Sequence, residues 1–187
     1  LHLSGFENHL FPDENGGEQM QDNLAEPGDA KSLTSEQFLL ATKLTIPPVR
    51  SDAVLRSRLM NQLQLGRQRS LTLIAAPAGF GKTTLLSTWL EQASLPSAWI
   101  SLERDDDDLT RFWSYVFTAL ARVHPGSGTS ALALIQASTL SPPPIETVLT
   151  LWINELVTLP HEIVLVLDDY HLITAQPIHR SVTYLVD

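Results

Sequence analysis

Cysteine is missing from all 187 residues, which excludes disulfides, thiolate zinc sites and cysteine nucleophiles. Long apolar runs are missing too. The densest, residues 163–167, is strand-sized, far below the ~18 consecutive apolar residues that a membrane span needs. The chain opens at Leu1 without a methionine, and no basic, apolar, small-residue signal sequence follows. A cytoplasmic protein cut at both ends, with no membrane attachment, is therefore expected. Bases are scarce: 12 Lys and Arg stand against 21 acids, a formal net charge of −9. A nucleic-acid-binding face needs clustered bases, so no specific nucleic-acid binding is expected from this chain itself. The rest of the composition is ordinary. Hydrophobic residues make up 43% and charged residues 18%, which excludes collagen, coiled coil and wholesale disorder. The length fits one domain with an appendage.

The charge is unevenly spread. Residues 1–36 carry eight acids and a single base, Lys31, for a net −7, whereas the remaining residues carry 13 acids and 11 bases. Apolar residues in that first stretch are sparse and without period, and Gly16-Gly17 and Pro27-Gly28 punctuate it as turns. Such a segment cannot offset its own ordering entropy. Residues 1–37 are expected to be a disordered acidic leader, and residues 38–187 the folded part.

Past Phe38, Pro47 and Pro48 hold residues 45–49 extended, because each proline pushes its predecessor out of the helical region. Ser51 or Asp52 can cap a helix through Leu55, Leu59 and Leu63 that ends near Gly66. Residues 71–75 (Leu-Thr-Leu-Ile-Ala) read as a short buried strand, 83–93 as a helix and 98–102 as a second strand. Asp108 can cap a helix whose Phe112, Tyr115, Val116, Ala119 and Val123 recur at three and four. A small helix over 131–137, a rigid Ser141-Pro142-Pro143-Pro144 connector and a helix over 146–159 follow. Residues 163–167 form a third strand, apolar throughout and so expected to be buried on both faces. A last helix starts near Pro177. Strands separated by helices, without hairpin signals, predict an α/β fold: a parallel sheet flanked by helices.

The strand at 71–75 runs into Ala76-Pro77-Ala78-Gly79-Phe80-Gly81-Lys82-Thr83-Thr84 and then a helix, the setting that a phosphate-binding P-loop requires. Backbone N–H groups and a helix N-terminus carry partial positive charge that suits a polyphosphate. Gly79 and Gly81 allow positive φ and close approach. Lys82 is expected to reach the β- and γ-phosphates, and Thr83 to offer its hydroxyl to Mg²⁺. Ala76 stands where the general motif has its first glycine. The bland alternative is a chance Gly-Lys-Thr at a helix start.

The third strand ends in Asp168-Asp169. A carboxylate at the end of a buried strand needs a partner, because desolvating a charge is costly. A water-coordinated Mg²⁺ supplies one, with Asp168 assisting the metal in a Walker B arrangement and Asp169 placed as a catalytic general base for an attacking water. Helix capping is the alternative for Asp169. Four acids at 105–108 lack the interleaved spacing of an oxygen-ligand loop and more simply favour the start of the next helix. His171 and His179 have no third ligand at metal spacing, and Trp89, Trp99, Trp113 and Trp152 occupy core-like positions.

With these residues in view, the chain resembles the N-terminal ATPase domain of the MalT-like, LuxR-type large ATP-binding transcription regulators, a branch of the signal-transducing P-loop ATPases. Four stretches carry the resemblance. They are Leu40 to Leu44 with Pro47-Pro48-Val49-Arg50 and Val54-Leu55-Arg56-Ser57-Arg58-Leu59; Ala76 to Leu85; Trp99-Ile100-Ser101-Leu102 followed by acids; and Leu167-Asp168-Asp169-Tyr170-His171-Leu172-Ile173 with Pro177-Ile178-His179. That family's loop also lacks the first glycine. The resemblance implies ATP and Mg²⁺ as cofactors, with Pro77, Ala78, Gly79, Phe80, Gly81, Lys82, Thr83 and Thr84 at the nucleotide and Thr83 and Asp168 at the metal. It implies a switch set by ATP binding and reset by slow hydrolysis, with ATP-dependent self-association in the parent protein. Inducer and DNA would be met only by regions outside this chain. A conventional P-loop ATPase or kinase-type enzyme, or a truncated product without function, remains open from the residues alone. The resemblance also implies a further strand between the loop strand and the acid strand, supplied later in sequence. Only 18 residues follow Asp169, so the sheet is expected to be incomplete at its C-terminal side and the chain alone to be poorly stable, with turnover near background.

Overall fold

The computed structural model describes residues 39–49, 54–137 and 143–186, all within the unit Leu33–Asp187. The acidic leader, the Ser51 and Asp52 caps, Arg50 and the Ser141-Pro142 half of the proline connector lie outside the described residues. Two strands, β1 (Ser97–Ser101) and β2 (Val164–Asp168), pair in parallel with Ser97 opposite Val164 and Ser101 opposite Asp168. The ladder is extended by Val164 N–H donating to Pro96 O at 3.0 Å and Leu102 N–H to Asp168 O at 3.0 Å. Around it lie α1 (Ser57–Gly66), α2 (Lys82–Ala93), α3 (Leu109–Val123), α4 (Thr129–Ala137), α5 (Ile145–Val157) and α6 (Gln176–Val186). This is a mixed fold of helices with a small parallel sheet, in keeping with the α/β expectation. No helix among the described residues is long and apolar enough to cross a membrane.

The expected strand at 71–75 does not form. These residues join no sheet, and Leu71 and Leu73 are 60% and 80% exposed. A strand exists through its ladder, and unpaired backbone groups stay in water where they can be hydrated. β2 pairs with β1 on one side, and among the described residues no strand lies on its other side. Only Ile74 of this stretch packs into a core. The same open side explains a second correction. β2 is half-buried over most of its length, with only Val166 and Asp168 fully buried, rather than covered on both faces. α1 also starts later than expected, at Ser57, leaving Leu55 exposed ahead of it.

Two cores hold the elements. α3 is the hub of the larger one: Phe112, Trp113, Tyr115, Val116, Phe117, Ala119 and Leu120 are buried on it, against Ile100, Val148, Leu149, Trp152 and Ile178. Its start is fixed as expected, the Asp108 carboxylate accepting from Arg111 N–H at 2.8 Å in the N-cap geometry that satisfies an otherwise orphaned donor. The smaller core joins α1 and α2 to the other face of the sheet through Met60, Leu63, Trp89, Leu90, Trp99 and Val166.

Of the acids at 105–108, Asp106 and Asp107 as well as Asp108 have structural partners. Asp106, fully buried, receives Lys43 Nζ at 2.7 Å and Arg111 Nε at 3.1 Å. Asp107 accepts from the Thr174 hydroxyl, from Ala175 N–H at 2.7 Å and from Thr174 N–H at 2.8 Å, which ties the turn after β1 to the start of α6. Among the described residues no group of three His, Cys, Asp or Glu could hold a metal. The Thr174 hydroxyl, then the Ala175 and Thr174 amides, hold the Asp107 carboxyl below the usual aspartate range. In the unfolded chain Asp107 takes up its proton at a higher pH, near ~3.9. Its contribution to stability is therefore present above that value and lost as pH falls through the folded one. Asp107→Asn is expected to flatten the dependence of the urea midpoint on pH between about 5 and 3. Parallel wild-type and variant curves over that range would contradict the assignment.

Candidate functional site

Two elements converge at the C-terminal end of the sheet. β2 ends in Asp168, and the loop 76–81 leads into α2. Gly79 (φ 80°) and Gly81 (φ 76°) both adopt the left-handed region, which a side chain tolerates poorly. No atom outside its immediate chain neighbours stands within 4 Å of where a Cβ on Gly79 would lie, so glycine is needed there for its backbone angle and not for space. Phe80 N–H closes a turn onto Pro77 O at 3.4 Å, and Leu85 N–H bonds Gly81 O at 2.9 Å as α2 begins. Lys82, Thr83 and Thr84 thus form the first turn of α2, whose leading N–H groups have no helical acceptor.

The Thr83 hydroxyl donates to Asp168 Oδ2 at 2.8 Å. Asp168 is buried, and its other carboxylate oxygen receives Asp169 N–H at 3.2 Å. The two residues assigned from sequence to a metal therefore stand in direct contact. Lys82 Nζ folds back onto Ala76 O at 2.9 Å and Pro77 O at 3.4 Å, both exposed contacts. Thr84 is half-buried and its carbonyl receives the Thr88 hydroxyl at 2.8 Å. Pro77, Ala78 and Phe80 are exposed along the loop.

Asp169 is placed differently from its neighbour. It takes a left-handed backbone (φ 58°, ψ 30°), and its carboxylate lies 3.7 Å from His171 Nδ1, on an exposed surface. It is the N-cap residue of the turn Tyr170–Leu172 but makes no side-chain cap bond. Aspartate tolerates this conformation, and non-glycine residues held in it gather at functional sites. The Tyr170 hydroxyl meets His179 Nδ1 at 2.8 Å, so His179 packs rather than ligates, and burial pushes the Tyr170 hydroxyl above its ordinary range.

One further side chain reaches the loop that sequence reasoning did not single out. Arg56, just ahead of α1, donates Nη1 to Phe80 O at 3.1 Å. Arg56 entered the sequence reading only as part of the stretch Val54 to Leu59, and its partner 24 residues away is not visible from that pattern.

No protein-family model matches the chain. Among curated proteins it is 32% identical over 149 residues to the HTH-type transcriptional regulator MalT of Cronobacter sakazakii. It is also 32% identical over 148 residues to the regulator of the same name from Vibrio campbellii, and 33% identical over 150 residues to that of Yersinia pestis. Each alignment takes in about four fifths of this chain, but the chain spans only 16% of each relative's length.

Proposed function

This chain is a MalT-like sequence, homologous over 80% of its length to HTH-type transcriptional regulators, and from that premise we propose that it is the ATP-binding switch module of such a regulator, built on a P-loop fold. The contact between the Thr83 hydroxyl and Asp168 carries the reading. A hydroxyl at the first turn of a helix, held on a carboxylate at the end of a neighbouring strand, is the donor pair that binds the magnesium of a nucleoside triphosphate in P-loop proteins. Oxygen donors suit this cation, which keeps most of its waters and takes few protein ligands.

The loop residues Pro77 to Thr84 fit the phosphates. Gly79 and Gly81 take the backbone angles of a phosphate cradle, and the first turn of α2 offers N–H groups to an anion. Lys82 rests on two exposed carbonyls, neutral contacts that a charged phosphate oxygen outcompetes. Bound Mg²⁺ would neutralise phosphate charge, with Thr83 and Asp168 holding it. Asp169 stands at the strand end as the residue to accept a proton during slow hydrolysis. Binding would set the switch and hydrolysis reset it, in the cytoplasm. Inducer recognition, DNA binding and self-association belong to the regulator as a whole.

Lys82→Ala is expected to weaken Mg-ATP binding by more than ~1.5 kcal/mol, roughly tenfold or more, since hydrogen bonds to charged groups are the strong ones. Thr83→Ala should weaken it in magnesium and leave metal-free nucleotide binding little changed. Titration with a fluorescent ATP analogue measures both. Equal affinity for wild type and Lys82→Ala would overturn the assignment.

A further inference from the structure

Among the described residues, two side chains hold carbonyls of the loop 76–81: Lys82, on Ala76 O and Pro77 O, and Arg56, whose Nη1 donates to Phe80 O at 3.1 Å. Arg56 Nη2 stands 3.9 Å from where a Cβ on Gly81 would lie, so the guanidinium lies along the Phe80–Gly81 peptide. The main chain that carries it is fixed. Arg56 is the N-cap of α1, and its carbonyl accepts Met60 N–H at 3.0 Å. Met60 and Leu63 in turn pack α1 against Trp89 and Leu90 of α2. No ion pair among the described residues involves Arg56, so a carboxylate partner does not account for its position.

The peptide that Arg56 touches is one that could easily turn over. A flip there changes ψ of Phe80 and φ of Gly81, and glycine accepts φ of either sign. The left-handed φ of 76° at Gly81 is therefore not enforced by the residue itself. In a trans peptide the C=O of one residue and the N–H of the next point opposite ways. Holding Phe80 O on the α1 side thus turns Gly81 N–H away from α1, and successive loop N–H groups must share one direction to bind an anion. Lys82 cannot supply this restraint once an anion is present, because its ammonium leaves the two carbonyls for the phosphate. Arg56 bonds a carbonyl on the far side of the same peptide and keeps it.

We propose that Arg56 is a positioning residue for the phosphate loop: its bond to Phe80 O sets the orientation of the Phe80–Gly81 peptide and thereby the affinity of the loop for a polyphosphate. The inference rests on the nucleotide-site reading above and adds to it a residue outside the loop.

The test uses the full chain, with Mg-ATP and inorganic tripolyphosphate as probes and Arg56→Met, Arg56→Lys and Lys82→Ala side by side. Arg56→Met keeps an aliphatic stem and removes every donor. It should weaken both probes about threefold to tenfold, the range of a net hydrogen bond. That loss should persist at ~0.5 M salt, where the field of an exposed charge is screened. Arg56→Lys keeps one donor group and should recover part of the affinity. The urea midpoint should stay in place in both, since the bond is exposed. The sequence holds a single Phe–Gly pair, so ¹³C-carbonyl Phe with ¹⁵N-Gly gives one carbonyl–amide cross-peak, that of this peptide. It should shift or double in Arg56→Met and return towards its wild-type position in Arg56→Lys. Affinities weakened by Lys82→Ala but unchanged in Arg56→Met would overturn the proposal and leave the nucleotide site standing, whereas an unchanged Lys82→Ala would overturn the nucleotide reading itself. An unmoved cross-peak, or a loss in Arg56→Met that vanishes in salt, would also overturn the proposal, because charge and not the bond would then act.

Discussion

Asp106→Ala is expected to destabilise the protein by about 3–5 kcal/mol, the range found when one partner of a buried ion pair is removed. The carboxylate is fully buried and the Lys43 side chain only 4% exposed, with 2.7 Å between them. Burial works against the lysine's charge, but the bonds to Asp106 and Glu103 outweigh it and hold the ammonium above the ordinary lysine range. The same carboxylate receives Arg111 Nε and the main-chain N–H of Glu103, so truncation removes the shared acceptor of three donors and leaves Lys43 with Glu103 alone, at 3.1 Å. The ring of Tyr115 lies 5.2 Å from the Lys43 ammonium, and its hydroxyl accepts Leu40 N–H at 3.2 Å. This cluster fastens the short turn Ala41–Leu44 to the base of α3. Loss of Asp106 should therefore release that turn as well as lower the urea midpoint, and limited trypsin digestion reads the release as new cleavage after Lys43. Lys43→Met/Asp106→Leu should cost clearly less than Asp106→Ala, because neither charge is left without its partner. A single truncation costing under about 1 kcal/mol would mean that water reaches the pair.

That cluster was not legible in the sequence, and the reason is distance along the chain. Lys43 and Asp106 are 63 residues apart, and nothing local marks either as buried. The four acids read as favouring the start of the next helix, which holds for Asp108 but not for Asp106 and Asp107. Asp107 reaches across to Thr174 and Ala175, and Asp106 turns inward. By contrast α3 was legible almost residue by residue, because a long apolar stripe at three and four with an aspartate ahead of it leaves few alternatives. The segment 71–75 shows the opposite limit. Its composition suits a buried strand, yet a strand needs a neighbour, and pairing is a property of the whole sheet.

The candidate site divides along the same line. Thr83 and Asp168 could be named because each sits inside a short pattern whose chemistry requires it, and the structure brings them to 2.8 Å. Arg56 could not, since only the folded chain brings it to the carbonyl of Phe80. Asp169 was singled out by adjacency to Asp168; it lies one residue past β2 in a left-handed backbone, with its carboxylate 3.7 Å from His171.

Trp113→Ala is expected to cost about 3–5 kcal/mol as well, as buried tryptophan truncations do. Trp113 is essentially inaccessible on α3. It meets Phe112 edge-on at 5.4 Å and Trp152 of α5 edge-on at 5.9 Å, with Phe117 tilted at 5.6 Å. Its indole N–H donates to Ser181 Oγ on α6 at 2.9 Å, 68 residues away, and Ser181 in turn donates to Ile178 O. One side chain therefore joins three helices, and edge-on aromatic pairs add about 0.5–1.5 kcal/mol each beyond the area they bury. Trp113→Phe retains most of that area and leaves only one hydroxyl lone pair without a donor, so it should cost nearer ~1 kcal/mol. The consequence reaches the candidate site. α6 follows β2 by a single short turn, and Asp107 and Trp113 are two of its polar anchors, beside the contacts of His179 with Tyr170 and of Tyr184 with Thr150. With the indole gone, the segment after Asp168 loses one of them. Nucleotide affinity at a temperature where the variant is still folded should then fall more in Trp113→Ala than in Trp113→Phe. Near-ultraviolet circular dichroism should lose its tryptophan signal in the same order. Equal stabilities for the two variants would show that the indole bond to Ser181, and not the packing of the ring, carries the helix junction.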